Sequence, residues 1–196
     1  MTVSTIVETP EYFYSSVLPV VQNSFASDHK WADGVLYRDE SPQDIIYGDL
    51  DQKTGFVLFI HQKWNERDFR DLNLIAIAYR HDVHCLRDLV PDHVEWLQSM
   101  RNQVINILPE IYGIKMNNME PVLYVPYPPG KYHFHFLIRE KSSPILQEEI
   151  RSGRALLLDH VINQLQQGVF YRDVTLKFEV EQVEQVEQVE QAEQTV

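Results

Sequence analysis

Two strongly apolar runs in the first half of the chain, Phe56 to Ile60 and Leu72 to Tyr79, constrain the fold more than any other feature. They have strand length and strand composition, so both are predicted to be core strands of a sheet, with the polar loop Lys63 to Arg67 between them. Upstream, Asp44 to Tyr47 reads as a further strand ending in the turn Asp51 to Gly55. Downstream, Pro91 to Tyr112 carries apolar residues at 94, 96, 97, 100, 104, 105, 107 and 108, close to a 3.6-residue period, and predicts the longest amphipathic helix. Pro109 is expected to mark its fraying end.

The remaining segments complete an α+β pattern, an antiparallel sheet with helices packed on one face. Thr9-Pro10-Glu11 is a helix start with a capping hydroxyl, a proline at the first helical position and a carboxylate facing the helix dipole. That helix is expected to run towards Leu18-Pro19, with a second short helix over His29 to Tyr37. Pro121 to Pro126 and Lys131 to Arg139 read as two strands of a hairpin, joined by the turn Tyr127 to Gly130. Ile145 to Gln167 predicts a second long helix, and Val174 to Val180 a last strand.

Composition narrows the function. The single cysteine, Cys85, excludes an intramolecular disulfide, and the first residues lack the basic and apolar regions of a signal peptide, so a cytoplasmic or nuclear protein is expected. No apolar stretch approaches membrane-spanning length. The net charge of −12 argues against long nucleic acids and anionic membranes as partners, which need a basic footprint. Six of the glutamates fall in the last 18 residues, leaving room for a locally basic pocket in the body. The tail repeats Glu-Gln-Val with a period of three, which makes no steady helical seam, and is expected to be disordered.

Chemistry concentrates in Lys131-Tyr-His-Phe-His-Phe-Leu137. On a strand, His133 and His135 would point to one face and Phe134 and Phe136 to the other. Spacing alone leaves a metal-ligand pair, a catalytic pair and plain sheet residues all open. Zinc would require a third ligand, and none is recognisable by spacing. His81, His84 and Cys85 form another group in a polar loop and read as solvent-exposed filler.

These features lie in segments whose order and spacing carry a resemblance: Leu18-Pro19, Trp31, the stretch 55–65, the stretch 74–93 and the stretch 122–138. Over about residues 5–180 the chain resembles the C-terminal domain of the scavenger mRNA-decapping enzymes, within the histidine-triad (HIT) superfamily. The resemblance implies a HIT-like domain over 31–180, preceded by a helical hinge segment over 1–30 and followed by a disordered acidic tail over 181–196. It also implies that the chain begins at the hinge, without the family's N-terminal lid domain.

In that family the central histidine of a His-x-His-x-His strand attacks the phosphate beside the 7-methylguanosine, and His135 takes this position. His133 matches the first histidine, which would support the site and its tautomer. Trp31 falls where an indole stacks on the cationic base, and Glu40 lies within one position of a base-reading carboxylate. Lys63 matches a phosphate-side lysine. The third histidine is replaced by Leu137, which donates no hydrogen bond. Pro126 replaces another histidine, Gly130 and Lys131 replace hydroxyl-bearing residues, and His61 stands where an acidic cap contact is expected. Lys131 is expected to restore some phosphate charge stabilisation.

The resemblance thus implies hydrolysis of 7-methylguanosine cap dinucleotides to 7-methylguanosine monophosphate. The alternatives are a catalytically impaired cap-binding paralogue regulating a full-length decapping enzyme, and a general HIT nucleotide hydrolase. The implied partners are a cap nucleotide, a second copy of the chain in a homodimer, or a full-length decapping enzyme in a heterodimer. No cofactor and no metal are implied.

Overall fold

The computed structural model describes residues 2–37, 45–61, 64, 66–116 and 118–182. Strand β1 (Thr2–Glu8) opens the chain, a strand not expected from its sequence, because its partner is β8 (Leu176–Gln182) at the far end of the described residues. Thr9 then caps a helix, its hydroxyl accepting from the Tyr12 amide at 3.2 Å. The chain stays helical through α1 (Pro10–Tyr12), a π-type stretch over Phe13–Val17, α2 (Leu18–Val21), a 3₁₀ turn over Gln22–Ser24 and α3 (Phe25–Leu36). The expected stop at Leu18-Pro19 is therefore absent. The wider π-type turn ahead of Pro19 gives room to its ring and its missing amide.

A six-stranded antiparallel sheet follows, built from β2 (Ile45–Gly48), β3 (Phe56–Ile60), β4 (Asn73–Ala78), β5 (Pro121–Pro126), β6 (His135–Glu140) and β7 (Ala155–Leu157). Its spatial order is β2-β3-β4-β6-β5-β7, while β1 and β8 form a separate two-stranded sheet. The helices that make the main core are α4 (Val94–Tyr112) and α6 (Leu158–Gln166). Trp96, Leu97, Met100, Val104 and Leu108 of α4 and Val161, Ile162 and Leu165 of α6 pack on Phe56, Leu58, Leu74, Ala76, Phe136 and Ile138. These sheet residues alternate along their strands, so all lie on one face. The arrangement is the α+β, HIT-like fold.

The opposite face carries two smaller clusters. Ala32 and Leu36 of α3 pack on Val57 and Ile77, and Leu146 of α5 (Pro144–Arg151) packs with Tyr124 and Ala155. Between these clusters the centre of the second face stays open.

Three predicted elements differ in the structure. Strand β6 begins at His135, not at Lys131, and the connection from β5 is correspondingly longer than a tight hairpin turn. The cause is competition for the backbone of 132–134. The Tyr132 amide bonds to the Asp28 carboxylate at 2.9 Å, the Phe134 amide to Val83 O at 3.0 Å, and Phe134 O accepts from Ala78 N at 3.2 Å. The helix expected over 145–167 is divided at Gly153, whose φ of 72° ends α5 and whose missing Cβ lets Lys177 O approach. The freed chain pairs as β7 with β5, Val125 opposite Leu156, before α6 starts. Helix α4 continues past Pro109 to Tyr112 and stops where Gly113 takes a φ of 55°.

Candidate active site

The open centre of the second face is a cleft of about 420 Å³. Its floor is β6: His135, Leu137 and Arg139 alternate onto the face that carries Ile75 of β4, opposite Leu137 in the register. Trp31 of α3 forms one wall; Glu149 of α5 and the following Arg154 form the other.

His135 is almost fully buried. Its Nδ1 lies 2.8 Å from the backbone carbonyl of His133, a contact in which a ring N–H donates to that oxygen. This fixes the tautomer and leaves the Nε2 lone pair as the reactive one. Burial holds the imidazole below its ordinary pKa, against the opposing pull of the His133 carbonyl, so the ring is neutral near pH 7. The Trp31 indole meets the His135 ring edge-on, with centroids 6.2 Å apart. A buried neutral imidazole with one nitrogen tied to a carbonyl is a preorganised nucleophile.

Among the described residues, three cations line the cleft: Lys131, Arg139 and Arg154. Arg139 Nε donates to Tyr124 Oη at 3.0 Å, and that hydroxyl donates to Glu149 Oε2 at 2.6 Å, which fixes the guanidinium over the sheet. Lys131 Nζ is 3.2 Å from Asp28 Oδ1, so part of its charge is already answered within the protein. Asp28 also takes the Tyr132 amide at 2.9 Å and the Ser24 hydroxyl at 3.0 Å. Through this buried carboxylate, α3 clamps the segment that leads into His135.

Of the residues singled out from sequence, Trp31, Lys131 and His135 thus meet at one cleft, joined by His61, Pro126, Gly130 and Leu137. Glu40 and Lys63 lie outside the described residues. His133 precedes the regular strand yet keeps its alternation: Phe134 and Phe136 both enter the main core, while His133 meets His29 of α3 without lining the cleft itself. Its ring is fully buried and bonds through Nε2 to Ala78 O at 2.7 Å, and burial takes its pKa down to about 4. It holds the tautomer of His135 through its backbone carbonyl, not its side chain.

Cys85, expected to be exposed, is buried, and burial pushes its thiol up to about 12, so it is no nucleophile. Sequence reasoning missed Asp28, Arg139, Glu149 and Arg154. Arg139 was readable, being two alternations beyond His135 on the same strand face. The other three are brought in by tertiary packing and left no local signal.

Residues 30–153, well over half of the chain, match the family model described as scavenger mRNA decapping enzyme C-term binding. The chain belongs to the scavenger mRNA decapping enzyme family. Similar proteins include the m7GpppX diphosphatase of Caenorhabditis elegans, 30% identical over 174 residues that make up 87% of this chain and 54% of that protein. The Schizosaccharomyces pombe m7GpppX diphosphatase is 29% identical over 161 residues, 82% of this chain and 52% of the relative. The human m7GpppX diphosphatase is 30% identical over 128 residues, 65% of this chain and 37% of the relative. The chain spans about half the length of the first two relatives. Among its described residues no helix is long and apolar enough to cross a membrane.

Proposed function

We propose that this chain hydrolyses 7-methylguanosine cap dinucleotides and short capped fragments through a phosphohistidine on His135, a reading supported by relatives named m7GpppX diphosphatases. One observation carries the reading: His135 Nδ1 is tied to the His133 carbonyl, so Nε2 is the free nitrogen of a ring that lines a cleft with Trp31 and three cations. Nε2 attacks the phosphorus beside the methylated nucleoside, forming a P–N bond as the phosphoanhydride P–O bond breaks. The leaving group departs as a nucleoside diphosphate, its negative charge met by Arg139, Arg154 and Lys131. Water then attacks the phosphohistidine, returning neutral His135 and releasing 7-methylguanosine monophosphate. Trp31 supplies an aromatic face for the cationic base, a contact worth ~1–2 kcal/mol.

Leu137 beside His135 favours a second reading, a cap-binding protein with slow or no turnover that regulates a full-length decapping enzyme. Losing one donor to the transition state typically costs about 100- to 1000-fold in rate. Purified chain incubated with labelled cap dinucleotide, with His135→Ala as control, separates the two. Release of 7-methylguanosine monophosphate above the control is expected. Tryptophan quenching by a cap analogue with no release above the control means binding alone, and neither signal rejects both readings. An equal rate on unmethylated dinucleotide would assign a general nucleotide hydrolase.

A further inference from the structure

Just ahead of β6, outside the lining of the cleft, three histidine rings converge. His29 comes from α3, His81 from the turn after β4, and His133 from the segment before β6. Their centroids are 5.1 Å (His29–His81), 5.6 Å (His29–His133) and 5.1 Å (His81–His133) apart, and their planes cross at 70°, 88° and 73°. Each offers one nitrogen to a common point, and the three nitrogens lie within 4.8 Å of one another. Mutually perpendicular rings at this distance neither stack nor hydrogen-bond to each other.

Two of these rings also carry buried nitrogens without a hydrogen-bond partner among the described residues: His29 Nε2 and His133 Nδ1. A buried polar atom left unpaired is destabilising, so two in one cluster call for an occupant. The tautomer of His133 identifies its kind. Its Nε2 lies 2.7 Å from Ala78 O, and since a carbonyl only accepts, Nε2 carries the hydrogen and Nδ1 keeps a lone pair. A histidine that donates one N–H to a backbone carbonyl and turns the other nitrogen into a site is how proteins orient metal-bound imidazoles.

We propose that His29, His81 and His133 form a binding site for a divalent metal ion of the zinc class. Three imidazoles suit Zn²⁺, and the fourth tetrahedral position is left to water from the solvent side, where 40% of the His81 side chain is exposed. Zinc–nitrogen bonds of about 2.0–2.1 Å bring ligand nitrogens to about 3.3 Å from one another, so the ion draws the present cluster inward. The exposed His81 is the ring with freedom to move. Asp33 Oδ1 lies 3.3 Å from His81 Nε2, outside hydrogen-bonding geometry, and supplies negative charge beside the ion. His84 stacks on His29 but spends its Nδ1 on Asp88 at 3.2 Å, and stays outside the ligand set.

The ion would pin three segments that the chain brings together from far apart. One of them carries the His133 carbonyl that sets the tautomer of His135. The site itself does not depend on turnover at His135, so metal binding and cap hydrolysis stand or fall separately.

The test is calorimetric titration of the metal-free full chain with Zn²⁺, repeated for His29→Ala, His81→Ala, and His160→Ala as a histidine control outside the cluster. One ion per chain is expected, with the affinity weakened at least 10-fold by His29→Ala and by His81→Ala and unchanged by His160→Ala. Co²⁺ added to the wild-type chain should give the visible absorption of a four-coordinate nitrogen site, weakened in His81→Gln, a conservative change at the exposed ring should His29→Ala not fold. Wild-type protein that binds no zinc, or zinc binding indifferent to both His29→Ala and His81→Ala or to His81→Gln, overturns the proposal.

Discussion

His135, Leu137 and Arg139 follow one another at strand spacing on one face, so the reactive nitrogen, an apolar substitute and a fixed cation share a single cleft. On the proposed phosphohistidine reading, Leu137 is the residue on which turnover hinges. Its Cβ already projects into the site, so Leu137→His places a donor there without moving the backbone. The expected result is a rise in kcat of about 100-fold or more with little change in KM, measured by single-turnover release of 7-methylguanosine monophosphate. An unchanged kcat would mean that Arg139 or Lys131 already fills the role. Asp28 acts one step back, as a clamp. Asp28→Ala strands the buried Tyr132 amide and frees Lys131, and should cost about 1–3 kcal/mol in urea denaturation while lowering kcat; Asp28→Asn, which keeps an acceptor, should recover part of both. At this scale His135, Trp31 and Lys131 were legible because family spacing marks them. Asp28 was not, since what makes it functional is a partner 104 residues away. That β6 begins only after His133 was not legible, because tertiary contacts take up the backbone of 132–134.

Elements whose partners are hydrophobic were readable at close to their true limits: β3, β4, β5 and α4 each bury a continuous or periodic apolar set. Elements decided by a single backbone event were not. Gly153 divides one expected helix into α5, β7 and α6, and the π-type turn before Pro19 merges two others. Short turns held by a side chain belong to the same class. The 3₁₀ turn over Leu86–Asp88 is closed by Asp88, whose Oδ2 accepts from the His84 amide at 2.7 Å and the Cys85 amide at 3.3 Å. Burial opposes ionisation of Asp88, but the His84 side chain and these amides outweigh it and hold its carboxyl below the usual value. A carboxyl depressed in the folded state stabilises the protein above its unfolded pKa and loses that contribution as pH falls through the folded one. Asp88→Asn should therefore lower Tm at pH 7, with the gap to wild type closing as pH drops below about 4. A gap that stays constant from pH 7 to pH 3 would show that the charge is not what matters.

Across the whole molecule, the two ends of the described chain are joined to each other, β1 to β8 from Thr2↔Gln182 to Glu8↔Leu176, and a buried cation, together with Leu176 and Phe178 in the main core, fastens that sheet to the body. Arg87 is 1% exposed and bridges to Glu8 Oε1 at 2.6 Å, to Tyr171 O at 3.1 Å and to Val174 O at 2.5 Å, while Glu8 also takes the Tyr127 hydroxyl. Three distant segments, at Glu8, Tyr127 and 171–174, meet on one guanidinium, so its loss is felt well beyond its own turn. Arg87→Met leaves the Glu8 carboxylate buried and unpaired, and should destabilise by about 3–5 kcal/mol in denaturant unfolding. Pairing it with Glu8→Gln removes the stranded charge, so the double variant should be more stable than Arg87→Met alone, a coupling that independent sites would not show. Because the clasp joins β1 to the core through that pair, the amides of β1 should exchange with solvent near the rate of global unfolding in the wild type and much faster in Arg87→Met. Fast exchange of β1 already in the wild type would mean that the clasp opens by itself, and that the cleft and its nucleophile are held by α3, α4 and α6 alone.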